Sequence, residues 1–245
     1  MVLNSIISSA KSNKKLFALL VDPDKISGKS LTSLCRNAER SKTDFIFVGG
    51  SYLSNGRISE CIKQIKNTCS IPVVIFPGSV MQIDNQAEAI LFLSLISGRN
   101  AEMLIGKHVA AAPLLKKTRL EIIPTGYMVI ESGRLTSVQY ISGTLPLPQN
   151  KTDLAAHTAL AGQLLGLKLI YMDAGSGAEH PVKTELIKAV KKEISVPLIV
   201  GGGINNAAKA KAAARAGADV IVVGNSIEKK PELIFDIANA VHSVK

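Results

Sequence analysis

The sequence predicts an α/β fold, a single closed barrel of eight parallel strands alternating with helices that takes up residues 1–245 as one domain. Three observations predict it. Short apolar runs recur eight times, at 16–22, 44–48, 72–76, 89–93, 121–130, 168–173, 197–200 and 219–223. Most of the intervals between them carry apolar residues at helical spacing. The composition is 47% hydrophobic but only 4% aromatic, with no tryptophan, as suits parallel strands buried on both faces by helices.

Taken in order, the first run, LFALLVD, is too short for a signal core or a membrane span. Leu31, Leu34, Cys35 and Ala38 then share one helical face, as do Ile58, Cys61, Ile62 and Ile65 after the second run. The scheme repeats at 152–165, 184–193, 206–216 and 231–244. One link breaks the rhythm. Residues 76–89 contain Pro77 and Gly78 and no apolar helical face, which predicts a loop in place of the third helix. A second irregular insertion is expected at 132–151, rich in Gly, Ser and Pro. Eight strands with this alternation favour a closed (βα)8 barrel of the TIM type over an open doubly wound sheet.

The net charge of +10 favours anionic partners, either a phosphorylated metabolite or an acidic surface. Its lysines and arginines are mostly scattered, and no arginine-rich arm, zinc finger or aromatic-studded RNA signature accompanies them, so nucleic acid is not expected. A peripheral contact with an anionic membrane is compatible with the same charge. Three cysteines, Cys35, Cys61 and Cys69, form no CxxC pair, which predicts reduced thiols in a cytoplasmic protein. The four histidines show no metal-ligand spacing and read as ordinary packing or surface residues.

Three late strands end in small residues: Tyr171-Met172-Asp173-Ala174-Gly175-Ser176-Gly177, then Gly201-Gly202-Gly203-Ile204, then Gly224-Asn225-Ser226. A phosphate needs several N–H donors at close range, and glycine lets the backbone approach it without a Cβ in the way. Glycine also serves tight turns that bind nothing. Three such loops at consecutive strand ends favour a phosphate site, which recurs after the last strands of this barrel type. Asp22 and Asp24 follow the first strand, and Ser51 follows the second. Two carboxylates and a hydroxyl suit Mg2+, which bridges to substrate phosphates. Equally, Asp24 can be a turn or cap residue and Asp22 a structural acceptor. Asp173, at the end of the sixth strand, is a third candidate carboxylate, able to act as a base or to orient a hydroxyl.

In order along nearly the whole chain, LVDPDK, DFIFVGGS, IPVVIFPGS, IPTGY, YMDAGSGA, PLIVGGGI and DVIVVGNS resemble the geranylgeranylglyceryl phosphate synthases. The relative heptaprenylglyceryl phosphate synthases share their fold and reaction type. The resemblance implies an Mg2+-dependent prenyl transfer from a polyprenyl diphosphate to the 3-hydroxyl of sn-glycerol 1-phosphate, with release of pyrophosphate. It implies Asp22 and Ser51 as Mg2+ positions. It also implies Tyr171 to Gly177, Gly202, Gly203, Gly224 and Asn225 as the glycerol-phosphate loops. Asp173 stands where family members carry Glu or Asp, and its shorter side chain reaches less far as a base. The missing third helix would open a side groove for a prenyl tail, with apolar residues between 89 and 115 as candidate lining. Homo-oligomers, dimers or larger rings, are implied as well.

Two other readings compete. A sugar- or indole-phosphate isomerase or lyase would use the same phosphate loops, but an aldolase needs a Schiff-base lysine on an inner strand, and Lys168 opens the sixth strand at the wrong end. A non-catalytic protein held to a membrane or polyanion by its charge would leave the Asp22 and Ser51 pairing without a purpose.

Overall fold

The computed structural model describes residues 1–50, 53, 54 and 57–244. Ser51, one of the two expected metal positions, lies outside the described residues. Eight parallel strands close into a barrel, each beside its neighbour in sequence, with the eighth paired back to the first. They are β1 (Leu16–Val21), β2 (Phe45–Gly49), β3 (Val73–Phe76), β4 (Ala89–Leu95), β5 (Glu121–Val129), β6 (Leu169–Asp173), β7 (Leu198–Gly201) and β8 (Val220–Val223). The predicted strands are all present, with ends displaced by one or two residues.

Side chains alternate across each strand. Leu16, Ala18, Phe45, Phe47, Val74 and Ile199 point inward and form the barrel interior with Tyr127 and Tyr171. Phe17, Leu19, Ile46, Val73, Met172 and Val200 point outward, against the helices. Those helices are α2 (Gly28–Arg40), α3 (Ile58–Thr68), α4 (Lys107–Leu115), α6 (Thr152–Leu164), α7 (Thr184–Glu193), α8 (Ala207–Arg215) and α10 (Leu233–His242), with α1, α5 and α9 introduced below. Cys35 and Cys61 are buried on α2 and α3, on the faces their spacing indicated.

Between β3 and β4 the chain makes only a 3₁₀ turn at Val80–Gln82, so the loop expected in place of a third helix is there. After β4 a π-helical turn, Glu102–Gly106, leads directly into α4. Besides the short helix α9 (Asn225–Lys229) that follows β8, two further helices lie outside the expected pattern. The first, α1 (Val2–Lys11), lies beneath the barrel, where Val2 and Ile6 join the interior cluster and close its floor. Its leading N–H groups, on Val2 and Leu3, donate to the Glu121 carboxylate at the start of β5, which suits the positive end of a helix. The second, α5 (Ser137–Ser142), lies inside the 132–151 segment that composition alone had marked as irregular. Its start is secured by Gln139, whose Oε1 accepts the Thr136 N–H at 2.9 Å, the reciprocal half of a capping box.

Carboxylates at the strand starts are structural. Asp44, Glu88 and Asp219 each precede a strand and accept an N–H from the strand before it: Phe17 at 2.9 Å, Val73 at 2.8 Å and Leu198 at 2.9 Å. Lys15 and Lys191 also reach the Asp219 carboxylate, at 3.4 and 2.6 Å. These acids sit at the N-terminal face of the barrel, the end associated with stability. The opposite rim is free for chemistry.

Candidate active site

Because every strand runs the same way, every βα loop opens on one rim. A single polar cleft there is lined by Asp22 and Asp24 after β1, by Gly49 and Gly50 at the end of β2, and by Tyr171 and Asp173 on β6. Its other side is formed by Gly175, Ser176 and Gly177, by Gly202 and Gly203 after β7, and by Gly224 and Asn225 at the start of α9 (Asn225–Lys229). The three glycine-rich strand ends are therefore brought together.

The glycine requirement is physical at two of these positions. Gly202 has φ +81°, and a Cβ there would stand 2.6 Å from the Gly175 N and 2.7 Å from Asp173 Oδ1. Gly203 has φ +69°, with the Pro181 N 2.7 Å from any Cβ. An L side chain is strained in that region of backbone space even before those contacts are counted. Among the described residues, the N–H groups of Ser176, Gly177, Gly203 and Asn225 make no hydrogen bond within the chain. They are the donors an anion would find.

Two residues expected in the binding set do not reach the cleft. The Met172 and Ala174 side chains are fully buried in the helix-facing layer, because strand alternation turns them away from Tyr171 and Asp173. The Ala174 N–H is also already given to the Gly201 carbonyl at 3.1 Å.

Asp173 lies at the cleft floor, 7% exposed. The Tyr127 hydroxyl donates to its Oδ2 at 2.5 Å, and the Gly175 N–H donates to its Oδ1 at 2.7 Å. Burial raises the Asp173 carboxyl above the ordinary carboxylate range, against the opposing pull of these two donors. Burial and the nearby Asp173 charge push the Tyr127 and Tyr171 phenols well upward, so both stay protonated at neutral pH. Tyr127, Tyr171 and Phe76 pack ring against ring, with centroids 5.2 to 5.8 Å apart.

On the opposite wall, Asp22 Oδ2 pairs with Lys25 Nζ at 2.7 Å, and Oδ1 accepts the Asp24 N–H at 3.1 Å. Asp24 Oδ2 takes the N–H and hydroxyl of Ser54 at 2.6 and 2.8 Å, a turn role that joins the loops after β1 and β2. Glu228, on α9, accepts the Asp22 N–H at 3.1 Å, and burial raises its carboxyl. Among the described residues no group of three His, Cys, Asp or Glu side chains forms a cage for a metal. The donor set fits a hard cation of another kind, one that takes a carboxylate from the protein and its remaining oxygens from substrate phosphates and water.

Beside this cleft lies an apolar groove, lined by Phe76, Leu93, Leu95, Met103, Val138 and Ile141 among others. Pro77 and Gly78, in the loop that stands in place of the third helix, also line it. Gly50 and Phe76 line both the groove and the cleft, so the two meet.

A family model described as the PcrB family matches residues 10–242. The chain belongs to the PcrB family. It is 54% identical over 230 residues to the geranylgeranylglyceryl phosphate synthase of Spirosoma linguale, covering 94% of this chain and 92% of the relative. It is 49% identical over 242 residues to that of Chitinophaga pinensis, covering 99% and 96%. The crystal structure of (S)-3-O-geranylgeranylglyceryl phosphate synthase from Thermoplasma acidophilum, in complex with its substrate sn-glycerol-1-phosphate, superposes with a TM-score of 0.94. That structure is 35% identical and covers 100% of this chain and 99% of its own. The thiamine phosphate pyrophosphorylase of Pyrococcus furiosus, 12% identical with a TM-score of 0.58, shares the barrel alone.

For this PcrB-family chain, sequence reasoning missed several residues that face the site. Tyr127 ends the IPTGY motif of β5. Arg134, whose guanidinium donates to the Gly177 carbonyl, and Glu228 both line the cleft. Lys107 lines the groove. The period-2 pattern of β5 places Tyr127 on the same face as Ile123, which was a usable signal. Nothing local marks the other three. The expected lining between residues 89 and 115 is partly met by Leu93, Leu95 and Met103, while Val138 and Ile141 come from α5.

Proposed function

We propose that this PcrB-family protein is a prenyltransferase that joins a polyprenyl group, most simply geranylgeranyl, to the 3-hydroxyl of sn-glycerol 1-phosphate. The observation that carries the reading is the junction of two complementary spaces at one barrel rim. A cleft of glycine-rich loops suits a small phosphate ester, and an apolar groove beside it suits a long hydrocarbon tail. The relatives in Spirosoma and Chitinophaga, and the Thermoplasma enzyme with sn-glycerol-1-phosphate, support the same reaction. An isomerase or lyase of sugar phosphates would use the cleft but would have no use for the groove.

In this reading the acceptor phosphate lies against the free N–H groups of Ser176, Gly177, Gly203 and Asn225. Its 3-hydroxyl then points toward Asp173 and the groove mouth. The hydroxyl oxygen bonds to C1 of the prenyl chain while the bond from C1 to the diphosphate breaks, its electron pair leaving with pyrophosphate. Asp173 orients the hydroxyl and takes its proton. Each of its oxygens accepts one donor from the chain and keeps a second lone pair for the substrate. Tyr127 holds the carboxylate in place and walls the groove. Asp22 is the described residue that would hold Mg2+, with Ser51 as the second position the family resemblance implies. A bound Mg2+ would offset the charge that develops on the departing diphosphate.

The reading extends to setting. No helix among the described residues is long and apolar enough to cross a membrane. We infer a cytoplasmic protein that meets its lipid substrate and product at a membrane surface and works as a homo-oligomer.

Calorimetry with the two glycerol phosphate enantiomers tests the acceptor site. Saturable binding of sn-glycerol 1-phosphate, at least about tenfold tighter than sn-glycerol 3-phosphate, is expected where a site orients one hydroxyl by hydrogen bonds. Equal affinity for both would contradict it.

A further inference from the structure

We propose that Lys107 is a donor-binding residue, its ammonium holding the diphosphate of the prenyl substrate from the groove side. The inference rests on the prenyl-transfer reading and names a contact within it.

Lys107 begins α4, directly after the π-helical turn, and contributes a charged side chain to a mostly apolar groove wall. Its Nζ lies 3.4 Å from the Gly78 carbonyl, in the loop that replaces the third helix. That contact is long for a hydrogen bond and engages one of the three donors of an ammonium. Among the described residues, no carboxylate lies within ion-pair distance of it. Lys107 is half-buried at the groove wall, so its ammonium keeps donors free for an arriving anion.

The position decides which anion. The Gly78 N–H donates to Gln82 Oε1 at 3.0 Å, and Gln82 Nε2 donates to the Gly50 carbonyl at 3.4 Å. Gly50 lines both spaces, and a Cβ built on it would stand 3.7 Å from Asp22 Oδ2. A short relay of contacts therefore joins Lys107 to the cleft wall that carries Asp22. An amphiphile with its tail in the groove must place its charged head where groove meets cleft. The head of a prenyl diphosphate would then lie between the Asp22 wall and the Lys107 ammonium. The acceptor phosphate, among the glycine loops, is served by other donors. Lys107 should therefore act on the donor and not on the acceptor.

Steady-state kinetics of the full chain with Lys107→Met and Lys107→Arg tests this, using pyrophosphate as a competitive inhibitor against the prenyl donor. Pyrophosphate has no tail, so its inhibition constant reports the head contact separately from groove packing. Losing one charge-assisted contact predicts that K107M raises both that constant and the donor KM about tenfold, with the acceptor KM unchanged. K107R should recover much of the loss, which a merely misfolded groove would not. A K107M protein with unchanged pyrophosphate inhibition, or with a lower donor KM from the more apolar groove, would overturn the assignment. Wild-type protein that makes no ether from any prenyl diphosphate would overturn the functional reading and this inference with it.

Discussion

The Tyr127 hydroxyl donates a 2.5 Å hydrogen bond to Asp173 Oδ2, across neighbouring strands β5 and β6, at the point where the apolar groove meets the polar cleft. Tyr127 walls the groove and Asp173 forms the floor of the cleft, so one bond couples the two spaces; in the proposed reading these would hold the prenyl chain and the acceptor hydroxyl.

A pH dependence follows from this pair. Burial raises the Asp173 carboxyl, and the Tyr127 bond opposes the rise. The carboxylate form, needed as a base, is therefore reached only above the usual range for aspartate, and kcat should fall on the acidic side with a limb displaced upward. Removing the opposing hydrogen bond in Tyr127→Phe should move that limb to still higher pH. A limb that stays in place, or moves down, would remove Asp173 from the protonation step.

The same shift has a consequence for stability. A carboxyl whose folded-state pKa is raised binds its proton more tightly folded than unfolded. Its contribution is thus fully present below the unfolded pKa and is lost as pH rises through the folded one. The melting temperature of Asp173→Asn, relative to wild type, should accordingly improve as pH is raised through this window. Thermal melts at a series of pH values read it directly, and a difference that does not change with pH would contradict the burial argument.

Gly202→Val should weaken acceptor binding. The valine Cβ would enter the space now held by the Gly175 N and Asp173 Oδ1, at a left-handed φ that costs an L residue about 1–2 kcal/mol. A rise of at least about tenfold in acceptor KM is expected, with the donor KM unaffected. If the donor KM alone changes, the glycine loops do not hold the acceptor phosphate.

Asp22→Asn should reduce Mg2+-dependent turnover by about 100-fold or more while the barrel remains folded by circular dichroism. Asparagine keeps an oxygen for the Asp24 N–H but loses the charge that pairs with Lys25 and would hold the cation. Unchanged turnover across a magnesium titration would remove Asp22 from the metal site.

Val138→Trp, on the groove wall contributed by α5, should shorten the preferred donor. The ratio of kcat/KM for long over short prenyl diphosphates is expected to drop about tenfold, the scale on which apolar pockets discriminate chain length. An unaltered ratio would mean the tail runs elsewhere.

Where sequence reasoning succeeded and failed has a common physical origin. The strands were legible because each is a local apolar run, most of them bounded on at least one side by Gly, Pro or Asp, and the cleft because three glycine-rich strand ends must share one rim once the barrel closes. The first helix, α1, was not legible. Its buried face is only Val2, Ile6 and Ser9, and it is held by the barrel floor and by Glu121, 119 residues from Val2 in sequence. The α5 segment was hidden by its Gly and Pro neighbours, although Thr136 and Gln139 form the spacing of a capping box that a closer reading would have used. The Met172 and Ala174 side chains face the helices and not the cleft because strand alternation turns every second side chain outward, which a motif read as a string does not show. Lys107, Arg134 and Glu228 owe their places to tertiary structure alone, since the elements that carry them meet only in the folded barrel.

The central claim, prenyl transfer to glycerol phosphate, is tested most directly by turnover. Purified protein would be given sn-glycerol 1-phosphate, Mg2+ and prenyl diphosphates of graded length, and the organic-extractable product identified by mass spectrometry. The account predicts a prenyl ether of glycerol phosphate from one preferred donor length, lost when the metal is chelated. Saturable binding of the acceptor with no ether from any donor would contradict it, leaving a phosphate-binding barrel whose groove serves another purpose.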